Sequence, residues 1–195
     1  SPKELRFGEE GRDKLISGIQ KISNAVKSTL GPRGNTVLIE SPQHTHGITV
    51  TKDGVTVAKS ISLLDPVENL AVQIMREAAS RTAANAGDGT TTAIVLTEAL
   101  VQNGIDHLFE SKNKTQVLRD LVSETTKIVE NLKKSSKTVT KAKLLDVATI
   151  SANNDKTVGK IIADTYNSVG KNGIVTVEKS QGSDTTFDTT NGLKI

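Results

Sequence analysis

Gly87-Asp88-Gly89-Thr90-Thr91-Thr92, followed by the apolar run from Ala93 through Phe109, is the stretch on which the reading of this chain turns. It sets two flexible glycines, a carboxylate and three hydroxyls where a long helix begins. Glycines let backbone amides approach an anion closely, a first helical turn offers unpaired N–H groups and partial positive charge, and an aspartate can hold a hard cation. That is the inventory of a phosphate and magnesium site. A plainer reading fits the same residues, with Gly87 as the left-handed terminator of the preceding helix, Asp88 as an N-cap and the threonines as first-turn residues. The run alone leaves both open.

Helical periodicity surrounds it on both sides. Leu15, Ile16, Ile19, Ile22, Val26 and Leu30 predict an amphipathic helix from about 10 to 30, ending at Gly31-Pro32. Val67, Leu70, Ala71, Ile74, Met75, Ala78 and Ala79 predict another, opened at Asp65-Pro66 and closed by Gly87. The run after Thr92 is apolar on nearly every face, as in a helix buried at a domain centre, and Val117 to Leu132 read as a further amphipathic helix. Between the first two helices, Val37-Leu38-Ile39 and Ile48-Thr49-Val50-Thr51 flank a polar turn and predict a hairpin. Lys133-Lys134-Ser135-Ser136-Lys137-Thr138 holds no apolar residue and reads as a crossing between domains. Beyond it come a short helix around Leu144 to Ala148, a second opened by Asn154-Asp155, and a strand Ile174-Val175-Thr176-Val177 with an antiparallel neighbour near Phe187. The expected fold is mainly α with small β elements.

Composition narrows the function. The 195 residues carry a net charge of only +3, too slight to argue for nucleic acid or membrane, and one Tyr, three Phe and no Trp leave few platforms on which bases could stack. With no cysteine there is no thiol chemistry, and of the three histidines only His44 and His46 lie close, in a polar turn where they read as solvated. No apolar run approaches the roughly 20 residues that span a bilayer, and Ser1-Pro2-Lys3-Glu4-Leu5 lacks the apolar stretch of a secretory signal.

Two more loops compete for phosphate chemistry: Thr29-Leu30-Gly31-Pro32-Arg33-Gly34 at a helix end, and Thr51-Lys52-Asp53-Gly54 between a strand and the short helix Val55 to Ile61. Each has a structural explanation, since Gly31-Pro32 ends a helix and Asp53 caps the next one. Neither a P-loop nor a G-x-G-x-x-G turn after a strand is present, so the common nucleotide folds are not indicated.

At these residues the chain resembles the group I chaperonins, the ring-forming, ATP-dependent folding machines of bacteria, mitochondria and chloroplasts. The motifs run in order: Lys3 to Gly8, Thr29-Leu30-Gly31-Pro32, Ile48 to Ser60, Ala86 to Thr92, Thr149-Ile150-Ser151-Ala152-Asn153 and Val169-Gly170-Lys171-Asn172-Gly173. The resemblance implies that residues 1–134 are the N-terminal half of a helical equatorial domain, 135–191 the first segment of an α/β intermediate domain, and 192–195 the start of the hinge to an apical domain. It implies ATP contacts from Thr29, Leu30, Gly31, Pro32, Lys52, Asp88, Gly89, Thr90, Thr91, Thr92, Ile150 and Ser151. Asp88 would hold Mg2+, carbonyls near Thr29 and Lys52 would help hold K+, and Asp53 would be the catalytic residue, orienting or deprotonating the attacking water. A homo-oligomer of seven-membered rings, a small co-chaperonin lid and unfolded clients gripped by the apical domain follow as partners, with no nucleic acid and no membrane.

The chain also departs from that pattern. It lacks the apical domain, the returning intermediate segment and the C-terminal equatorial half, so the expectation is a piece of a longer subunit or a naturally short relative. The first would be an ATP-hydrolysing chaperonin subunit; the second, a non-enzymatic protein that binds subunits or nucleotide. Intact mass of the native polypeptide separates them. The turn Ser41 to Gly47 is longer than usual, Asn35 follows Gly34 directly, and Asp184 to Gly192 replaces a more acidic segment, marking a divergent member. Lys3 to Gly8, Leu38-Ile39-Glu40 and Val147-Ala148-Thr149 look more like mature mitochondrial members, giving an expected mitochondrial matrix location with the bacterial cytoplasm as the alternative.

Overall fold

Seven helices and one hairpin make up the computed structural model, which describes residues 4–31, 33–40, 47–170, 172–182, 184–190 and 192. Its contacts divide it into two compact units, Ser1–Val122 and Ser123–Ile195.

In the first unit, α1 (Gly8–Lys27) carries Glu9 and Glu10 in its first turn and Lys27 in its last, each sign placed to suit the helix dipole. The helix stops earlier than its apolar spacing predicts. Thr29 and Leu30 donate their amides three residues back, to Val26 at 3.0 Å and Lys27 at 3.1 Å, while the Ser28 and Thr29 hydroxyls take the Ala25 and Val26 carbonyls. The last turn therefore tightens and the chain leaves the helix before Gly31. Strands β1 (Val37–Glu40) and β2 (Ile48–Thr51) form the expected hairpin, antiparallel with Val37 opposite Thr51. His44 and His46 lie outside the described residues.

Helix α2 (Gly54–Ser60) is capped by Asp53, which accepts from the amides of Val55 and Thr56. Helix α3 (Pro66–Ala86) is capped the same way by Asp65, has proline in its first turn, and ends at Gly87 with φ 74°. Helix α4 (Thr90–Glu110) then starts after Gly89, also left-handed at φ 86°. The core is shared by these elements: Ile22 and Val26 from α1, Val57 and Ala58 from α2, Val72, Met75 and Ala79 from α3, and Ile94 from α4. Val37 and Ile39 of the hairpin pack against its edge.

Two expectations of burial are corrected here. Helix α4 is not buried all round: Thr90, Ile94 and Glu98 form one buried stripe at four-residue spacing, while Leu96, Leu100 and Phe109 stay exposed. A helix apolar on every face carries no signal of which face packs. Helix α5 (Lys114–Ser135) buries none of its described residues, with Leu118, Val122, Ile128 and Leu132 all exposed. It also runs through Lys133 and Lys134, which the sequence placed in a domain crossing.

In the second unit, α6 (Lys141–Ser151) packs against α7 (Lys156–Val169). Their approach is close enough that a β-carbon on Gly159 would overlap Thr149. Asn153 and Asn154, at φ 55° and 65°, turn the chain between them, a conformation asparagine tolerates better than most residues. Asp155 caps α7 through the amides of Thr157 and Val158. The predicted strand at Ile174–Val177 does not form among the described residues, nor does a ladder to Phe187. Ile174 and Val177 are exposed, and an unsupported two-stranded ribbon without a packed face is marginal in water. Among the described residues no helix is long and apolar enough to cross a membrane.

Candidate functional site

Three loops of the first unit hold most of the residues singled out in the sequence. The first, after α1, folds tightly on itself: Gly34 donates to the Gly31 carbonyl at 2.9 Å and Asn35 to Ser28 at 2.7 Å. Gly31 sits at φ 80°, and a β-carbon on Gly34 would overlap the Thr29 carbonyl. That carbonyl accepts no hydrogen bond among the described residues and packs against Gly34. Leu30 is half exposed at the turn. Pro32 lies outside the described residues.

The second loop is built around Asp53. Thr51 Oγ1 accepts from the Asp53 amide at 3.0 Å, fixing the entry to α2. The carboxylate then accepts from Val55 N at 3.3 Å, Thr56 N at 2.9 Å and the Thr56 hydroxyl at 2.6 Å. Partial burial raises its proton affinity, but the Thr56 hydroxyl, the two amides and nearby Lys59 outweigh burial, and the group ionises below the usual carboxylate range. A carboxylate so stabilised is a weak base. It can accept a hydrogen bond from water and fix its direction more readily than it can remove a proton. Lys52 is exposed beside it.

The third loop, from Gly87 to Thr92, is shaped by its two left-handed glycines. Asp88 is exposed and Oδ1 accepts the Gly89 amide at 2.6 Å; Oδ2 has no partner among the described residues. Asp88 therefore caps no helix by side chain, and Gly89 holds the N-cap position. Thr90 is buried, Thr91 half-buried and Thr92 exposed, so the hydroxyl-bearing turn runs from the core to the surface.

The second and third loops meet. A β-carbon on Gly54 would fall on Thr91 Oγ1, 3.3 Å from Thr91 Cβ and 3.4 Å from Val26 Cγ1. Val26 is three residues before Thr29, so the start of α2, the start of α4 and the end of α1 converge at one point. The pair Lys27–Glu98, an ion pair with Glu98 buried, ties the last turn of α1 to α4 beside it. Ile150 and Ser151 close α6 in the other unit, both exposed, and are placed only within that unit.

Three contributors were not singled out from sequence. Thr56 was legible as the third position of a capped helix, where a side chain can answer the cap. Gly54 and the Lys27–Glu98 pair depend on contacts between distant segments, which no local pattern encodes.

Comparison with known proteins identifies the family of the chain. The model of the TCP-1/cpn60 chaperonin family matches residues 22–195. The chaperonin gp146 of bacteriophage EL 2 (Pseudomonas aeruginosa), solved in the presence of ATP-BeFx, is 30% identical with a TM-score of 0.73, covering 86% of this chain and 30% of that one. A second crystal form of it gives 31% identity and a TM-score of 0.72, covering 83% and 28%. A group III chaperonin in the open state shares the fold at 24% identity and a TM-score of 0.66, covering 82% of this chain and 32% of that one. The chain thus spans about 30% of the length of the chaperonins it matches. From Ile22 to its last residue, this chain belongs to the TCP-1/cpn60 chaperonin family.

Proposed function

We propose that this chain is the part of a chaperonin subunit that binds ATP and sets up its hydrolysis. The observation that carries the proposal is the meeting of the Asp53 loop with the threonine turn of α4 across Gly54, three residues from an Asp88 carboxylate whose Oδ2 has no partner among the described residues. A 30% identical chaperonin was solved with ATP-BeFx, which supports a nucleotide as the ligand.

The roles follow from the donors present. Amides of Gly89 to Thr92 and the hydroxyls of Thr90, Thr91 and Thr92 offer donors to phosphate oxygens at a helix N-terminus, where the dipole favours anions. The turn at Thr29, Leu30, Gly31 and Pro32 supplies a second wall, with Lys52 as a mobile positive charge. Asp88 Oδ2 suits a hard cation held by one carboxylate and phosphate oxygens, so Asp88 would hold Mg2+, which shields phosphate charge during transfer. The Thr29 carbonyl, with a carbonyl near Lys52, would help hold K+. Asp53, ionised and already hydrogen-bonded, orients the attacking water rather than taking its proton.

On the same reading the subunit is of group I type. Residues 1–134 are equatorial, 135–191 intermediate and 192–195 the hinge; seven-membered rings, a lid and unfolded clients complete the cycle, in the mitochondrial matrix or a bacterial cytoplasm. The test is magnesium-dependent binding and turnover of ATP by the full-length subunit. Saturable binding with release of phosphate is expected; no binding at millimolar ATP would overturn the proposal.

A further inference from the structure

Gly54 is the first residue of α2 and is not among the glycines with positive φ, so no left-handed φ requires glycine there. Space does. The hydroxyl of Thr91 overlaps the position a β-carbon on residue 54 would take, and Val26 Cγ1 lies 3.4 Å from that position. Gly54 is itself buried, so a side chain has no outward escape. Thr91 is β-branched, with its methyl and hydroxyl both fixed by one χ1 angle in a helix, which limits how far the hydroxyl can turn aside.

We infer that Gly54 and Thr91 act as a spacer pair: the missing side chain at 54 sets how closely the Asp53 loop approaches the threonine turn, and so positions Asp53 for the chemical step. This rests on the ATPase reading above. Gly54 touches no reacting atom in it and is a positioning residue. Asp53 directly precedes Gly54, and its carboxylate is locked to Val55 and Thr56 on the same helix turn. Anything that lifts the start of α2 away from α4 therefore carries Asp53 with it as one piece. The backbone amides of the α4 turn and the metal-facing oxygen of Asp88 stay where they are. A displacement of about 1 Å in such a group can cost on the order of 100-fold in rate. Nucleotide affinity, set mainly by the α4 turn, is expected to change far less.

The experiment is a double-substitution cycle in the full-length subunit: wild type, Gly54→Ala, Thr91→Ala and both together, with kcat, ATP affinity and nucleotide-free Tm measured for each. Gly54→Ala is expected to lower kcat by about 10- to 100-fold while affinity stays within about threefold. In the Thr91→Ala background the overlapping oxygen is gone, and adding Gly54→Ala is expected to change kcat by less than about threefold. Gly54→Ala with Thr91→Ser, whose unbranched side chain can turn its hydroxyl aside, is expected to recover most of the lost turnover. Equal losses of kcat with threonine and with alanine at 91, or a loss of affinity as large as that of kcat, would overturn the spacer role. If wild type turns over no ATP, the ATPase reading fails. The Tm cycle then decides the contact: a Gly54→Ala penalty that disappears with Thr91→Ala supports the spacer pair, and an additive penalty overturns it.

Discussion

Asp53 and Asp65 do the same local work at the starts of two helices in one unit. Each accepts the amides two and three residues ahead, and each ionises below the usual carboxylate range. They differ in what faces the other side of the carboxylate. Asp65 is joined to Lys14 of α1 at 2.6 Å, next to Glu68, which Lys21 holds at 2.5 Å and Ser17 at 2.8 Å. These contacts staple α3 to α1. Asp53 has no ion pair among the described residues; its helix begins against Thr91, at the head of α4. Capping geometry is thus neutral between structure and chemistry, and the neighbour decides. Asp88 completes the contrast, since it caps no helix by side chain and one of its oxygens has no partner among the described residues.

If that contrast is sound, the three aspartates fail differently when changed. Asp88→Ala should weaken magnesium-dependent ATP binding by about tenfold to a hundredfold with little change in Tm, as expected for loss of a metal-holding group. Isothermal titration with and without magnesium checks it; unchanged magnesium dependence would remove Asp88 from the metal site. Thr56→Val should act through Asp53. It removes the 2.6 Å hydroxyl donor while keeping the side chain's shape, so the Asp53 carboxyl should titrate at higher pH. The acid limb of the turnover profile should therefore move to higher pH, with a loss of only a few fold at neutral pH.

The smallest effect expected is the acid dependence at Asp65. Lys14, then the Glu68 amide, hold its pKa at about 2, below the ordinary 3.8, with burial opposing them and the Val67 amide adding to them. A depressed carboxylate stabilises the fold above its unfolded pKa, and that contribution is lost as pH falls through the folded value. The Tm difference between wild type and Asp65→Asn should be constant above about pH 4 and close as pH approaches 2. A gap that persists at pH 2 would assign the loss to something other than ionisation.

Local signals were the legible part. The caps at Asp53, Asp65 and Asp155, the stop at Gly87 and the two strands of the hairpin all follow from residue types at fixed offsets. The candidate site was legible loop by loop for the same reason: each loop announces itself by its glycines and hydroxyls. What the sequence did not carry is which faces meet. The even apolar coat of α4 suggested full burial, whereas packing selects only the stripe Thr90, Ile94 and Glu98. Ile174 to Val177 has strand composition but forms no ladder among the described residues. The Gly54–Thr91 contact joins residues 37 positions apart, so it became visible only once α2 and α4 were placed on one core.

The central claim is that Asp53 serves the chemistry while its structural twin Asp65 serves the fold. Turnover and ATP affinity, measured side by side on full-length Asp53→Ala and Asp65→Ala subunits well below their Tm, test it most directly. The account predicts that Asp53→Ala loses about 100-fold or more in turnover with affinity retained within about threefold, and that Asp65→Ala keeps its turnover within about twofold but melts earlier than wild type. Turnover in Asp53→Ala equal to wild type, or an equal loss in both variants, would contradict it.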